Sequence, residues 1–295
     1  MPDSLDLGRY SVFDPPDPFE DHVGPFYFKI DGDAHQANSV HCVLPTHERH
    51  ANKAGSLHGG AILTFADYAL CLVAGRAADG GTNTRFAMTV SIAVEFLAAG
   101  KVGAPLEAAG EPLQVTGRLA FARGQVTQVG ETIALWSGVC RHVARERAIV
   151  RKGEGGPIPR DAQAVPPGFA PIANASLYSR HIGPSYLCRE ADGAILFQPT
   201  LPHMCNSGGV LHGGYLMSFA DSAVTRAAGL VSGLAPSTVC FAAEFLSAGY
   251  AIAPLRTRVE VPRHGGSLAF VRGLLVQNDR RLLSYSATVR LRPPG

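Results

Sequence analysis

The amino-acid sequence predicts an α+β protein built from two similar repeats, each with an antiparallel sheet wrapped around one long central helix. Three observations predict this class. The phrase NKAGSLHGGAILTFAD, from Asn52 to Asp67, recurs as NSGGVLHGGYLMSFAD, from Asn206 to Asp221. A long apolar segment of helical composition begins inside each phrase, and apolar residues then alternate with polar ones in the manner of strands. One buried helix followed by consecutive strands is typical of an α+β unit.

The repeat extends well beyond this phrase in both directions. Upstream, HVGPFY from His22 answers HIGPSY from His181, and downstream TVSIAVEFLAAG from Thr89 answers TVCFAAEFLSAG from Thr238. The matched segments keep their order, which indicates a duplicated domain. A stretch rich in Pro, Gly and charged residues separates the copies. We therefore predict an N-terminal extension (1–19), a first domain (20–143), a linker (144–177) and a second domain (178–293).

The central helix of each repeat is predicted from its composition. The segment Ala61–Gly75 has a single charged residue, Asp67, and is too long for an ordinary strand. A helix that is apolar nearly all round is buried on most sides. The second copy repeats the pattern from Tyr215 to about Ala228, again with one acid, Asp221.

Strands follow each helix. The segment after the first helix, FAMTVSIAVEFLAAG, alternates with a period of two and is rich in β-branched and aromatic residues. Asn278-Asp279 is typical of a hairpin turn. The further predicted strands are Pro105–Gly117, Leu119–Val129 and Thr132–His142 in the first copy, and Thr238–Ser247, Pro254–Pro262, Ser267–Gln277 and Arg281–Leu291 in the second.

Composition excludes several classes of function. The 295 residues are 46% hydrophobic and 17% charged, and the net charge of +2 gives no reason to expect nucleic acid or an anionic membrane as partner. We find no run of eighteen apolar residues and no apolar segment typical of a secretory signal at the N-terminus. The six cysteines form no C-x-x-C pair, so we expect free thiols, a cytoplasmic protein and no metal site.

The motif N-x-x-G-x-x-H-G-G, with an Asp nine residues after the His and a later strand ending in E-F-L, resembles the hotdog-fold thioesterases. It is most similar to the phenylacetate-pathway type within the 4-hydroxybenzoyl-CoA thioesterase superfamily. The resemblance covers both copies and implies a double hotdog, a fused form of the usual dimer. It further implies an acyl-CoA thioesterase without a cofactor, in which coenzyme A is part of the substrate, and a dimer of double hotdogs as a reasonable assembly.

Thioester hydrolysis needs a donor for the developing oxyanion and a means to deliver the nucleophile. Free amides at a helix N-terminus can polarise a carbonyl, and glycine there lets the ligand approach. A carboxylate in an apolar site can act as general base or as nucleophile. Asp67 lies on the order of 13 Å along the helix from His58, so one copy cannot readily supply both groups. Antiparallel helices across a two-fold axis can, which predicts the crossed pairs Asp67 with Gly213 and Asp221 with Gly59.

The resemblance assigns a role to each motif residue. Asp67 and Asp221 would be catalytic carboxylates, and Gly59 and Gly213 would supply the oxyanion amides. The residues expected to orient the carbonyl or the water are Asn52, His58, Asn206 and His212. The residues expected to bind substrate are Gly60, Gly214, Thr89, Thr238, Arg123 and Arg272, the two arginines by way of a coenzyme A phosphate. Because both copies keep the whole motif, we expect two sites.

Each assignment has a simpler alternative. The acids could be structural, the histidines could cap the helices, the glycines could serve turn geometry, and the two arginines could be surface charges at a strand end. The alternative functions are a non-catalytic acyl-CoA-binding hotdog and, with less support from the motif, a hydratase or dehydratase. The sequence does not specify the acyl group.

Overall fold

The computed structural model describes residues 6–14, 16–33, 35–80, 82, 85–144 and 163–293. The central part of the predicted linker, 145–162, lies outside these ranges, and its basic residues Arg145, Arg147, Arg151 and Lys152 with it. The helices of the described chain are α1 (Pro18–Val23), α2 (Gly59–Asp79), α3 (Leu177–His181) and α4 (Gly213–Ser232). The strands of the first half are β1 (Tyr27–Ile30), β2 (Val40–Leu44), β3 (Arg85–Phe96), β4 (Leu106–Val115), β5 (Leu119–Gln128) and β6 (Glu131–Ala144). Those of the second half are β7 (Ala170–Pro171), β8 (Tyr186–Glu190), β9 (Gly193–Gln198), β10 (Ala235–Phe245), β11 (Leu255–His264), β12 (Leu268–Gln277) and β13 (Arg280–Arg292).

All the strands belong to one sheet, in the order β1-β2-β4-β5-β6-β3-β10-β13-β12-β11-β9-β8-β7. The order within one repeat is the mirror of the order within the other, apart from the added β7. The two halves meet where β3 pairs antiparallel with β10, with Cys240 opposite Glu95 and Glu244 opposite Ser91. The duplication has therefore produced one continuous sheet that presents a central helix in each half.

The predicted α+β architecture is confirmed. The predicted helices are present but longer, because each begins at the first glycine of its motif and continues to a glycine with a left-handed backbone, Gly80 or Gly233. The four main strands of each repeat are present, and Asn278 has a φ of 52° in the predicted hairpin turn. The short elements α1, α3, β1, β2, β8 and β9 were not predicted.

The two central helices cross near their N-terminal ends and run antiparallel. Gly60 packs against Ser218, and Gly214 packs against Thr64, where an added Cβ would lie 2.6 Å from Thr64 Cγ2. The Thr64 hydroxyl hydrogen bonds the carbonyl of Gly214 at 3.1 Å, and the Ser218 hydroxyl hydrogen bonds the carbonyl of Gly60 at 2.9 Å. The close crossing thus depends on small residues and satisfies its buried hydroxyls internally.

The core lies between the sheet and these helices. Leu63, Phe65 and Leu70 of α2 have no exposed surface. On the facing sheet, the Trp136 ring occupies the space above Gly110 and Gly124, where an added Cβ would collide with it. By length and composition α2 could cross a membrane, but most of it is buried inside this fold. Its apolar character is therefore explained by the core.

The short helices α1 and α3 exchange partners between the repeats. The amide of Phe19 on α1 donates to the carbonyl of Cys205, just before α4, and the amide of Tyr178 on α3 donates to the carbonyl of Ala51, just before α2. His22 and His181 stack with ring centroids 4.1 Å apart. Each short helix therefore covers the N-terminal end of the other repeat's central helix.

Candidate active site

Each buried aspartate faces the N-terminus of the central helix in the other repeat. A Cβ added to Gly213 would lie 2.8 Å from Asp67 Oδ2, and a Cβ added to Gly59 would lie 2.8 Å from Asp221 Oδ2. The exposed fractions of Asp67 and Asp221 are only 4% and 2%. The crossed juxtaposition predicted from the motif spacing is thus present, and only glycine leaves room for it.

A threonine on the following strand orients each aspartate. The hydroxyl of Thr89 on β3 donates to Asp67 Oδ1 at 2.6 Å, and that of Thr238 on β10 donates to Asp221 Oδ1 at the same distance. One carboxylate oxygen is therefore held by the sheet, while the other is directed at the opposite helix.

The first amide of each central helix is open. The amides of Ala61 and Ile62 bond back to the carbonyl of His58, and that of Gly60 to its side chain. Within the described chain no hydrogen bond engages the amide of Gly59, nor that of Gly213 in the second copy. An unpaired amide at the positive end of a helix dipole is suited to donate a hydrogen bond to a carbonyl oxygen that gains negative charge.

The two histidines act as helix caps. His58 Nδ1 accepts the amide of Gly60, and His212 Nδ1 accepts the amide of Gly214, both at 2.9 Å. The other ring nitrogens differ in their partners, since Nε2 of His58 contacts the Ser179 hydroxyl and Nε2 of His212 contacts the Glu20 carboxylate, each at 3.3 Å. The capping interpretation is therefore the one that these contacts favour, over direct contact with a reacting group.

The two asparagines organise the loops before the helices. Asn52 Oδ1 accepts the amides of Ala54 and Ser56, and its side-chain nitrogen donates to the Ser56 hydroxyl and the Leu57 carbonyl. In the second copy, Asn206 Oδ1 accepts the amides of Gly208 and Val210 in the same way. Valine stands at position 210 where Ser56 stands in the first copy, so the hydroxyl that engages the Asn52 nitrogen has no counterpart, and Asn206 lines the cavity next to Asp67.

Four of the predicted substrate-binding residues are placed elsewhere. Gly60 and Gly214 lie in the contact between the two helices, where their amides serve the histidine caps. Arg123 pairs with Glu111 at 2.7 Å, and Arg272 with Glu260 at 2.9 Å, as exposed partners on neighbouring strands. Neither arginine lines the cavity at Asp67, and their contact with a coenzyme A phosphate stays a prediction.

A cavity of about 770 Å³ opens at Asp67. Asp67, Asn206 and Gly213 lie on its wall together with largely apolar side chains from both repeats. The apolar part of the wall includes Phe28, Leu72, Phe86, Met88 and Leu216. A chamber of this size is typical of small-molecule sites, and its wall also carries charged side chains, among them Arg76, Arg85 and Arg141.

Burial raises the pKa of Asp67 above its ordinary value, while His212, the Thr89 hydroxyl and the Gly214 amide act in the opposite direction. A raised pKa makes a carboxylate a stronger base, and the opposing contacts keep the ionised form accessible. The site therefore has the electrostatic character expected of a general base.

The sequence interpretation missed two acids at this site, Asp17 and Glu20 of α1. Asp17 Oδ1 accepts the amides of Phe19 and Glu20, both at 3.2 Å, and Oδ2 accepts the amide of Ser207 at 2.9 Å. The side chains of Asp17, Glu20 and His212 come within 4.8 Å of one another, which a metal could bridge. Asp17 already accepts three backbone amides and His212 Nδ1 accepts a fourth. We therefore interpret this cluster as a hydrogen-bond network rather than as a metal site. The D-P-x-E pattern from Asp17 to Glu20 is typical of a helix start and could have predicted α1.

Each repeat has a central helix wrapped by an antiparallel sheet, and the two sheets join edge to edge, which defines a double hotdog protein. Its candidate sites are the two crossed pairs of an aspartate and a helix amide. Residues 54–134 match the family model described as the thioesterase superfamily, and residues 201–290 match the acyl-CoA thioesterase N-terminal domain. Each of the two hotdog repeats thus contains a segment similar to a thioesterase family model.

Solved structures support the fold at low sequence identity. A hotdog protein of unknown function from Alicyclobacillus acidocaldarius is 17% identical with a TM-score of 0.64, covering 94% of this chain and 98% of its own. An acyl-CoA thioesterase II from Mycobacterium marinum is 16% identical with a TM-score of 0.60, covering 86% and 92%. The 12:0-ACP thioesterase from Umbellularia californica is 9% identical with a TM-score of 0.55, covering 85% and 94%. No curated protein matches the sequence significantly.

Proposed function

We propose that the protein is an acyl-CoA thioesterase that hydrolyses an acyl-CoA to a carboxylic acid and free coenzyme A. The observation that carries this proposal is the buried carboxylate set against an unpaired helix amide of the other repeat, formed twice. The family matches in both halves support the same class of reaction.

In the proposed reaction the thioester carbonyl oxygen accepts a hydrogen bond from the amide of Gly213. Asp67 then takes a proton from a water molecule as this water attacks the carbonyl carbon. Alternatively Asp67 attacks that carbon itself, and water then hydrolyses the mixed anhydride left after loss of the thiolate, which releases the acid and restores the carboxylate. The oxyanion is stabilised by the amide and the helix dipole, and its collapse breaks the carbon–sulfur bond. The thiolate of coenzyme A leaves and takes up a proton. Asp221 and Gly59 would perform the same steps at the second site.

The cavity at Asp67 suggests how the acyl group binds. Its apolar wall offers an acyl chain or an aryl ring a place to be buried, with the thioester held at the polar end. The motif's resemblance to the phenylacetate-pathway type adds aryl-acetyl thioesters to the candidate substrates. We propose that coenzyme A enters as part of the substrate and that no further cofactor is needed.

Release of free thiol from short, medium and aryl acyl-CoAs tests the proposal. We expect Asp67→Asn and Asp221→Asn each to remove the activity of one site, and the double variant to lose turnover. Asp279→Asn, in an exposed hairpin turn, is the matched control and should keep full activity. Full turnover by the double variant would disprove the assignment of the acids.

The alternative functions predict different outcomes in the same experiment. An acyl-CoA-binding protein would bind the substrate, measured by calorimetry, without releasing thiol. A hydratase would change the absorbance of an enoyl-CoA and leave the thioester intact. Retention of Asp67 and Asp221 with their threonine partners favours hydrolysis over both.

A further inference from the structure

The two candidate sites differ at one matched position of the short helices. The segment around Glu20 on α1 aligns with the segment around Ser179 on α3, since DPFEDHVG from Asp17 answers SLYSRHIG from Ser176. Each residue meets the capping histidine of the site that its helix covers, Glu20 at His212 and Ser179 at His58. Nε2 of the capping histidine therefore meets a carboxylate at one site and a hydroxyl at the other, while Nδ1 of His58 lies 3.6 Å from Asp221 Oδ2.

The side chain of Glu20 is held beside His212 in a largely buried position. Its side chain is 14% exposed, and its Oε1 lies 3.3 Å from His212 Nε2. Because Nδ1 of that ring accepts the amide of Gly214, the hydrogen of the neutral ring is on Nε2 and points at Glu20. The Phe19 ring, 5.2 Å from the imidazole, packs against the same histidine. Helix α1 thus fixes the ring from the side opposite the cap.

We propose that Glu20 is a positioning residue of the Asp67 site, which holds Nε2 of the capping His212 against a carboxylate where the Asp221 site offers Nε2 of His58 only the Ser179 hydroxyl. The inference rests on the proposed thioester hydrolysis for its effect on rate. The difference in charge between the two histidines is independent of that activity.

The surroundings of the two histidines support this difference. Burial lowers the pKa of His212, but the carboxylates of Asp17, Glu20 and Asp67 outweigh it and raise the value to about 9. Burial raises the pKa of Glu20 to about 7, against the opposing effect of His212. The other titratable groups that face this pair are Tyr68 on α2 and Cys42 on β2, whose pKa values burial raises so that both stay neutral.

At the other site, burial lowers the pKa of His58, and Arg226 lowers it further against the attraction of Asp221. His58 is therefore neutral at pH 7, where His212 carries a proton. Protonation of His212 Nδ1 takes from the Gly214 amide the acceptor that it has at 2.9 Å, so the charge on the ring is gained at the expense of the cap.

A cationic His212 has two consequences for the Asp67 site. It lowers the pKa of Asp67, so the carboxylate stays ionised to a lower pH. It also favours the negative charge that develops on the carbonyl oxygen. Activity of this site should therefore fall when Asp67 is protonated at low pH and again when His212 loses its proton at high pH, whereas the high-pH loss should be absent from the Asp221 site.

Titration of ring-labelled histidines by NMR tests the proposal without any substrate. In the wild-type protein we expect His212 to titrate near pH 9, and in Glu20→Ser, which copies the Ser179 site, its midpoint should fall by at least about one pH unit. Glu20→Gln keeps the shape of the side chain and should give the same fall if packing is preserved. Asp21→Ser removes a charge from the exposed side of α1 and should leave the midpoint unchanged. An unchanged midpoint in both Glu20 variants would overturn the proposal.

The pH dependence of kcat/KM gives the second readout. The Asp221→Asn enzyme reports on the Asp67 site alone. In this background Glu20→Ser should shift the low-pH limb upward and the high-pH limb downward, with about a twofold loss at pH 8 that approaches tenfold near pH 10 for a shift of about one pH unit. Ser179→Glu in the Asp67→Asn enzyme should introduce a high-pH loss at the other site. If the NMR shift occurs but no thiol is released by any variant, the charge assignment stands and the proposed hydrolysis fails.

Discussion

At the scale of single residues, the two oxygens of each aspartate have different partners. Oδ1 of Asp67 accepts the Thr89 hydroxyl from the sheet, and Oδ2 faces Gly213 of the other repeat. This division leaves one oxygen fixed and the other directed at the place where a thioester would be held. It explains why a glycine, a threonine and an acid recur together in both copies.

The first prediction concerns the glycine opposite the acid. Gly213→Ala should lower kcat/KM of the Asp67 site by about 10² or more, because its methyl group would displace Asp67 Oδ2 from the oxyanion donor. Alanine is favourable in a helix, so the fold should be preserved. Thiol release in an Asp221→Asn background measures the loss, and Gly117→Ala, at an open turn, is the control. Unaltered turnover would mean that the substrate does not use this helix end.

The second prediction concerns the threonine. The Thr89 hydroxyl lowers the pKa of Asp67, so Thr89→Val should raise it. Since the base must be ionised, the low-pH limb of kcat/KM for this site should move to higher pH, with a severalfold loss on that limb and little change above it. Thr89→Ser keeps the hydroxyl and should behave like the wild type. If the low-pH limb had the same midpoint in Thr89→Val and Thr89→Ser, the proposed role of the hydroxyl would be refuted.

At the scale of elements, the long helices were predictable and the short ones were not. Helices α2 and α4 follow from segments that are apolar on all sides, and β3 follows from its alternation. The helix α1 has six residues and is fixed by tertiary contacts, such as the bond from the Phe19 amide to the Cys205 carbonyl. The pairing of Glu20 with His212 depends on this exchange between repeats, which no local pattern encodes.

The third prediction concerns the helix caps. His58→Ala should reduce the free energy of unfolding by about 1 kcal/mol, because the amide of Gly60 loses its acceptor at the start of α2. His58→Asn supplies another capping acceptor and should recover most of the loss. Urea denaturation followed by circular dichroism measures both. Equal stability of His58→Ala and wild type would show that the cap contributes nothing.

At the scale of the whole molecule, the repeats complete each other's sites. The motif spacing within one copy predicted that Asp67 could not reach the Gly59 end of its own helix, and the antiparallel crossing of α2 and α4 provides the partner. The sequence shows Glu20 and Ser179 at matched positions, but it could not predict that they contact His212 and His58, because these contacts join different repeats. The sheet continuity through β3 and β10 holds both crossed pairs in one chain.

Thiol release by four double variants tests the crossed arrangement of the two sites most directly. The within-site pairs are Asp67→Asn with Gly213→Ala and Asp221→Asn with Gly59→Ala; the within-repeat pairs are Asp67→Asn with Gly59→Ala and Asp221→Asn with Gly213→Ala. If the sites are crossed, the within-site activities add up to the wild-type rate and both within-repeat variants are inactive. Activity in the within-repeat variants, with loss in the within-site variants, would contradict the crossed arrangement.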